Sequence, residues 1–286
     1  MPSIHLRQQW VKLEETVCSA IVARKCGNME FRLTPLRSLL KTNSVDVNLC
    51  RYGSKTLLQA AVSAGDADVV GMLLDHGADP NSFYDESDCR VDCLSELCRM
   101  PTQEGRYDIA VALMGRGANM YTTNTGCSFS ILELCCTRGD LEFVQLLFKN
   151  GLKLGKAHSD MDPEWDITPM VLTVRNSITP ENTVPLMELL VQNGANIHTK
   201  DRYGHTLLHS IASNHFQFNY DAMQYLVEKG LRDVEDTNNM SASALAERYA
   251  YNAGYPIEFA KEFGHSLSRM IKEDDYNNSH DTQNTQ

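Results

Sequence analysis

Apolar residues in this chain fall in short bursts at helical spacing, and each burst ends in nearly the same way. "MLLDHGADPN" (72–81), "ALMGRGANMY" (112–121), "LLFKNGLKLG" (146–155), "LLVQNGANIH" (189–198) and "YLVEKGLRDV" (225–234) are versions of one phrase. Each predicts an amphipathic helix that stops at a glycine able to take the left-handed conformation, after which the chain turns outward. About 15 to 20 residues upstream of each glycine sits a second apolar run that predicts a partner helix. These runs are "TLLQAAVSAGD" (56–66), "LSELCRM" (94–100), "SILELCCTRGD" (130–140), "TPMVLTV" (168–174) and "TLLHSIASNH" (206–215).

The glycines stand at 77, 117, 151, 194 and 230, at intervals of 40, 34, 43 and 36 residues. That is a repeat of about 33 residues with insertions. Two short helices cannot bury both faces alone, so successive units must stack into a continuous core. A divergent first unit covers 14–48, with Ser44 in place of the terminal glycine, and further units follow at 49–81, 82–119, 120–153, 154–196 and 197–233. The last, 234–271, lacks the glycine turn and is rich in charge, as a capping unit should be. Residues 1–13 are a flank, and 272–286, "KEDDYNNSHDTQNTQ", are acidic, polar and predicted to be a disordered tail.

The stretch "DRYGHTLLHSIA" (201–212) resembles the first half of the ankyrin-repeat unit, with Asp201, Gly204, Thr206, Leu208, His209 and Ala212 on matching positions and Leu207 where the family has proline. "GDADVVGMLLDHGADPN" (65–81) resembles the second half as closely. The resemblance spans roughly residues 14 to 271. It implies an all-α repeat protein, an ankyrin-repeat solenoid of six or seven helix-turn-helix units with hairpin-like loops that binds other proteins. It also bears on His205 and His209, whose spacing of four would let a helix present both to one metal. Under the resemblance Thr206 opens the helix, so His205 precedes it and the two do not share a helical face. His209 then takes a structural role, bonding the helix-opening threonine or a neighbouring backbone group. A zinc protease would also need glutamate directly after the first histidine, where Thr206 stands.

Charge and cysteine content narrow the setting. A formal net charge of -11, from 37 acidic and 26 basic residues, disfavours direct binding to nucleic acid or anionic lipid. No run approaches the roughly 20 apolar residues of a membrane helix. Arg7, Lys12, Glu14 and Glu15 interrupt the region where a secretory signal keeps its apolar centre, which leaves open delivery by a machine that reads other signals. Nine cysteines without regular spacing predict reduced thiols in a cytoplasmic or nuclear setting.

Insertions mark loops added to the repeat scaffold. "SFYDESDCRVD" (82–92) and "GKAHSDMDPEWDI" (155–167) place acidic residues around aromatics near the hairpin fingers, while "RNSITPENTVP" (175–185) and "NHFQFNYD" (214–221) lengthen the links between helices. Cys89, Cys93 and Cys98 lack the C-x-x-C pairing of a zinc site and read as helix and loop thiols. The aspartates of 160–166 lack the glycine and the bidentate glutamate of a calcium loop. No phosphate loop, nucleophile elbow or Cys/His pair predicts catalysis, so no enzyme activity, metal or cofactor is expected.

What remains is recognition of a protein partner through the fingers and the concave helical groove. Interfaces favour Tyr, Trp and Arg, which selects Arg51, Tyr52, Phe83, Tyr84, Tyr121, Trp165, Arg202 and Tyr203 as candidate partner-binding residues. The surrounding acidic loops predict a basic contact surface on the partner. An adaptor or inhibitor fits this reading; a microbial or viral effector acting on host proteins, or a recruiting arm for a separate enzyme, is the alternative. The family resemblance adds one modification: Asn81, with Leu73 eight residues earlier, matches hairpin asparagines hydroxylated by a 2-oxoglutarate oxygenase, whereas Asn196 has Glu188 there.

Overall fold

The computed structural model describes residues 4–22, 29–41, 46–86, 89–100, 105–122, 129–154, 168–175, 178–214, 218–254 and 256–283. Its contacts divide the chain into two compact units, one of residues 1–134 and 146–159, the other of 135–145 and 160–286. The first holds α1 (Ile4–Val22), α2 (Met29–Lys41), α3 (Leu57–Ser63), α4 (Ala67–Asp75), α5 (Cys93–Arg99) and α6 (Arg106–Gly115). It also holds two antiparallel hairpins, β1 (Arg51–Tyr52) with β2 (Lys55–Thr56), and β3 (Phe83–Glu86) with β4 (Cys89–Asp92). Helices α7 (Ile131–Arg138) and α8 (Leu141–Lys149) straddle the division. The second unit holds α9 (Pro169–Val174), α10 (Thr183–Gln192), α11 (Leu207–Ala212), α12 (Tyr220–Glu228), α13 (Ala242–Ala253) and α14 (Ile257–Gln283).

Local chemistry sets where the helices begin. The Thr56 hydroxyl accepts the Gln59 amide at 3.2 Å while the Gln59 side chain accepts the Thr56 amide at 2.8 Å, a reciprocal cap that satisfies two donors the helix leaves orphaned. Asp66, Asp92, Thr168 and Ser241 cap α4, α5, α9 and α13 through one side-chain acceptor each.

Helix ends follow the glycine phrase. At Gly77 (φ 84°) the amide of the glycine bonds to Leu74 and that of Ala78 reaches back to Leu73, which closes α4 with a left-handed residue. The same pair of bonds recurs at Gly117, Gly151, Gly194 and Gly230, all at positive φ. The five glycines that define the repeat in sequence therefore do the same work in structure.

Helices of six to ten residues are too short to persist alone, so packing must stabilise them. In α3, Leu57, Leu58, Ala61 and Val62 are buried, and in α4 Val69, Val70, Leu73 and Leu74. Each leucine so buried contributes about 1.5–3 kcal/mol. Helix α3 packs on α4 and α5, and α4 on α6; in the second unit α11 packs on α9 and α13, and α14 on α12 and α13.

The ends of the chain differ from their composition. Helix α1 starts at Ile4, so most of the 1–13 flank is helical, and α14 runs to Gln283 through residues 272–283, which the composition assigns to a disordered tail. Those residues lack apolar side chains for a core, yet the Arg232 guanidinium binds Asp274 at 2.8 Å and Asp275 at 2.7 Å. An ion pair from the turn after α12 ties this part of α14 down.

Candidate partner-binding surface

In the first unit both hairpins project as fingers. The first turns through Gly53 and Ser54, pairing Arg51 with Thr56 and Tyr52 with Lys55. The second pairs Phe83 with Asp92 and Tyr84 with Val91, so the insertion at 82–92 is a true β-hairpin. Strand alternation sends neighbouring side chains to opposite faces, and the two aromatics of this finger separate accordingly: Phe83 is 38% exposed and Tyr84 only 5%.

Tyr84 is thus a correction to the candidate set. Its hydroxyl donates to Glu96 Oε2 at 2.8 Å, and the Lys55 ammonium sits 4.5 Å from its ring centroid. Lys55 also binds Glu96 Oε1 at 2.9 Å and Ser63 Oγ at 2.7 Å, and the Ser63 hydroxyl donates to the same Glu96 oxygen. Burial pushes the Glu96 carboxyl up, but bonds from Ser63, Lys55 and Tyr84 outweigh it and hold the group below the usual carboxylate range. This network joins both fingers to α3 and α5. Sequence reading missed it because its members lie up to 41 residues apart.

Between the fingers lies a cleft of about 410 Å³, lined by Asn48, Arg51, Ser54, Thr56, Asp79, Ser82, Phe83 and Tyr84. The Thr56 and Ser82 hydroxyls meet 3.2 Å apart in its wall, and the Arg51 guanidinium donates to the Ser54 carbonyl at 3.2 Å. Tyr52 is 61% exposed on the first finger.

Successive turns are tied by side chains. Asn48 donates to the Gly77 carbonyl at 2.9 Å and accepts the Asp79 amide at 2.8 Å. Asn81 does the same one unit later, donating to Gly117 at 3.1 Å and accepting from Asn119 at 2.7 Å. Tyr121 holds the next position, where its hydroxyl accepts the Lys153 amide at 3.1 Å. Asn81, the proposed hydroxylation position, is therefore engaged at both ends of its amide, and the Tyr121 hydroxyl is committed to the following turn. Trp165 lies outside the described residues.

In the second unit, Arg202 and Tyr203 are exposed on the turn before α11, the guanidinium carbon 4.7 Å from the ring centroid. His205 precedes the helix, as the resemblance implied, and His209 Nδ1 accepts the Thr206 amide at 3.1 Å. Although they do not share a helical face, the two imidazoles stack, with centroids 5.3 Å apart. Their other partners are protein groups, and among the described residues no cluster of three His, Cys, Asp or Glu side chains could hold a metal.

Cys93 and Cys98 are buried and unpaired by disulfide, as are Cys50, Cys135 and Cys136. Burial pushes the Cys93 thiol up to about 12 and the Cys50 thiol up to about 11, with nearby carboxylates adding to both. Neither has the thiolate that ligation or nucleophilic attack requires. The side chain of Cys89 lies outside the described residues. No helix among the described residues is long and apolar enough to cross a membrane.

Comparison with known proteins agrees with this architecture. Residues 54–83, covering the first finger, α3, α4 and its glycine turn, match the ankyrin repeat family model. The ankyrin-repeat domain of Bcl-3, a member of the IkappaB family, superposes with a TM-score of 0.59 at 18% identity, covering 81% of this chain and 92% of that one. The human ASB11 ankyrin-repeat domain gives 0.53 at 19% identity over 74% and 82%. EF0377, an ankyrin repeat protein, gives 0.54 at 18% over 78% and 98%. No curated protein matches the chain in sequence. The fold is thus that of the ankyrin-repeat domains, and residues 54–83 match one repeat of that family. Ankyrin repeats are generally protein–protein interaction modules and are typically non-catalytic.

Proposed function

We propose that this protein is a non-catalytic adaptor or inhibitor that engages a partner protein through its fingers, the cleft between the first two being the main contact of the first unit. One observation carries the reading: Tyr52 and Phe83 stand exposed on adjacent fingers beside that cleft, while the Lys55–Glu96–Tyr84 network fixes both fingers from beneath. Exposed aromatics on a rigid support lose little conformational entropy on binding, which is what an interface anchor needs. Arg202 and Tyr203 offer an anchor pair of the same kind in the second unit. The net charge of -11 favours a partner whose contact surface is basic. Reduced, protonated thiols fit a cytosolic or nuclear setting.

The test is quantitative affinity purification with the full chain and with a Tyr52→Ala, Phe83→Ala variant matched to it in thermal stability. A partner held by the wild type and lost by the variant supports the finger reading. Equal retention by both moves the contact away from this cleft and overturns it.

A further inference from the structure

The stacked histidines of the second unit sit among partners that demand different protonation. His209 Nε2 faces the Met240 carbonyl at 3.1 Å, an acceptor, and its Nδ1 faces the Thr206 amide, a donor. A neutral imidazole with its proton on Nε2 satisfies both. Burial, followed by the smaller effects of its neighbours, holds the His209 imidazole below its usual range, in agreement with that form. His205 has acceptors at both ends: Asp201 Oδ2 lies 2.9 Å from Nδ1 and Asp236 Oδ2 3.1 Å from Nε2. A neutral ring can donate to only one carboxylate and turns a lone pair toward the other. Only the doubly protonated ring satisfies both.

The location gives this pairing a consequence. Asp201 opens the finger that displays Arg202 and Tyr203, and Asp236 belongs to the next turn, where its Oδ1 accepts the Asn238 and Met240 amides. The two turns meet closely: the Thr237 amide donates to the Tyr203 carbonyl at 2.8 Å, and a Cβ on Gly204 would lie 3.3 Å from that same nitrogen. We propose that the Asp201–His205–Asp236 chain is a proton-dependent pin, in which the doubly protonated imidazole locks the 201–205 finger to the 236–240 turn and loss of one proton loosens it.

Other groups stand near the ring. Tyr203 lies 5.8 Å from it between ring centroids, and His209 is its stacking neighbour. The Asp201 carboxylate acts on the Arg175 guanidinium at the end of α9, and Asp233 accepts the Ser243 hydroxyl at 2.6 Å. Asp236 is held below the ordinary carboxylate range, first by the Met240 amide and also by His205. The pin is therefore present where Asp236 is ionised and His205 is doubly protonated. It is lost in acid as Asp236 takes a proton, and it requires both ring protons of His205, one for each carboxylate.

The experiment follows two observables across pH in the full chain: the His205 ring nitrogens by NMR, and exchange of the Thr237 amide corrected for its intrinsic pH dependence. The corrected exchange should rise about tenfold as His205 passes from two ring protons to one, a hydrogen bond between charged groups having been lost. His205→Gln should remove that dependence. His209→Gln, which copies the capping glutamine this protein uses at Gln59, should retain it. Thr237 protection that stays level through the His205 titration overturns the pin, as does pH dependence that survives His205→Gln or disappears in His209→Gln.

Discussion

The Tyr121 hydroxyl accepts the backbone amide of Lys153 at 3.1 Å, in the position where Asn48 and Asn81 accept the amides of Asp79 and Asn119. A phenol thus replaces a carboxamide in a ladder of contacts between turns. The phenol oxygen takes over the acceptor role, while the two asparagines also donate to the Gly77 and Gly117 carbonyls. Asn81→Ala should therefore cost more than Tyr121→Phe, about 1–2 kcal/mol against about 1, measured by chemical denaturation.

The fingers hold one buried and two exposed aromatics. Tyr84→Ala should destabilise the chain by about 3 kcal/mol, because a buried ring is removed and Glu96 loses a donor. Tyr52→Ala and Phe83→Ala should each change stability by less than about 0.5 kcal/mol. Thermal melts of the three variants check the contrast before any binding experiment.

Glu96 gives a pH signature. Its folded carboxyl is held below the usual range, so its stabilisation is complete above the range of a free glutamate and disappears as pH falls through the folded value. Glu96→Gln should cost about 1–3 kcal/mol at neutral pH by leaving Lys55 without its counter-charge, and the gap from wild type should close in acid. Denaturation at several pH values measures it.

Thiol reactivity should follow burial. Cys93 and Cys50, pushed up to about 12 and about 11, should resist iodoacetamide in the native protein near neutral pH and react once it is unfolded. Peptide mass spectrometry after timed alkylation reads this directly.

The C-terminal helix offers a last check. Arg232→Ala removes the guanidinium that binds Asp274 and Asp275, so amides from 272 to 278 should exchange several-fold faster while α12 and the first half of α14 keep their protection.

The repeat, its helix pairs and the glycine stops were legible in the sequence because they rest on local rules. A leucine stripe at helical spacing, a side-chain cap at Thr56 and a left-handed residue at Gly77 act within a few positions of one another. The exposure of Tyr52 and Tyr203 was legible for the same reason, since they stand in turns marked by Gly53 and Gly204. Tertiary structure alone decided the contacts that no local rule sets. It turned Tyr84 inward onto Glu96, placed the Tyr121 hydroxyl on Lys153, stacked His205 on His209 between Asp201 and Asp236, and tied an acidic stretch of helix to Arg232. These join groups of opposite charge or complementary hydrogen bonding that lie 12 residues apart for Tyr84 and Glu96, 31 or more for Tyr121, Asp236 and Arg232 with their partners, and around the stacked rings are brought together by a turn. Residue order sets the period of the repeat, but contacts between side chains on different turns arise only when the units are stacked.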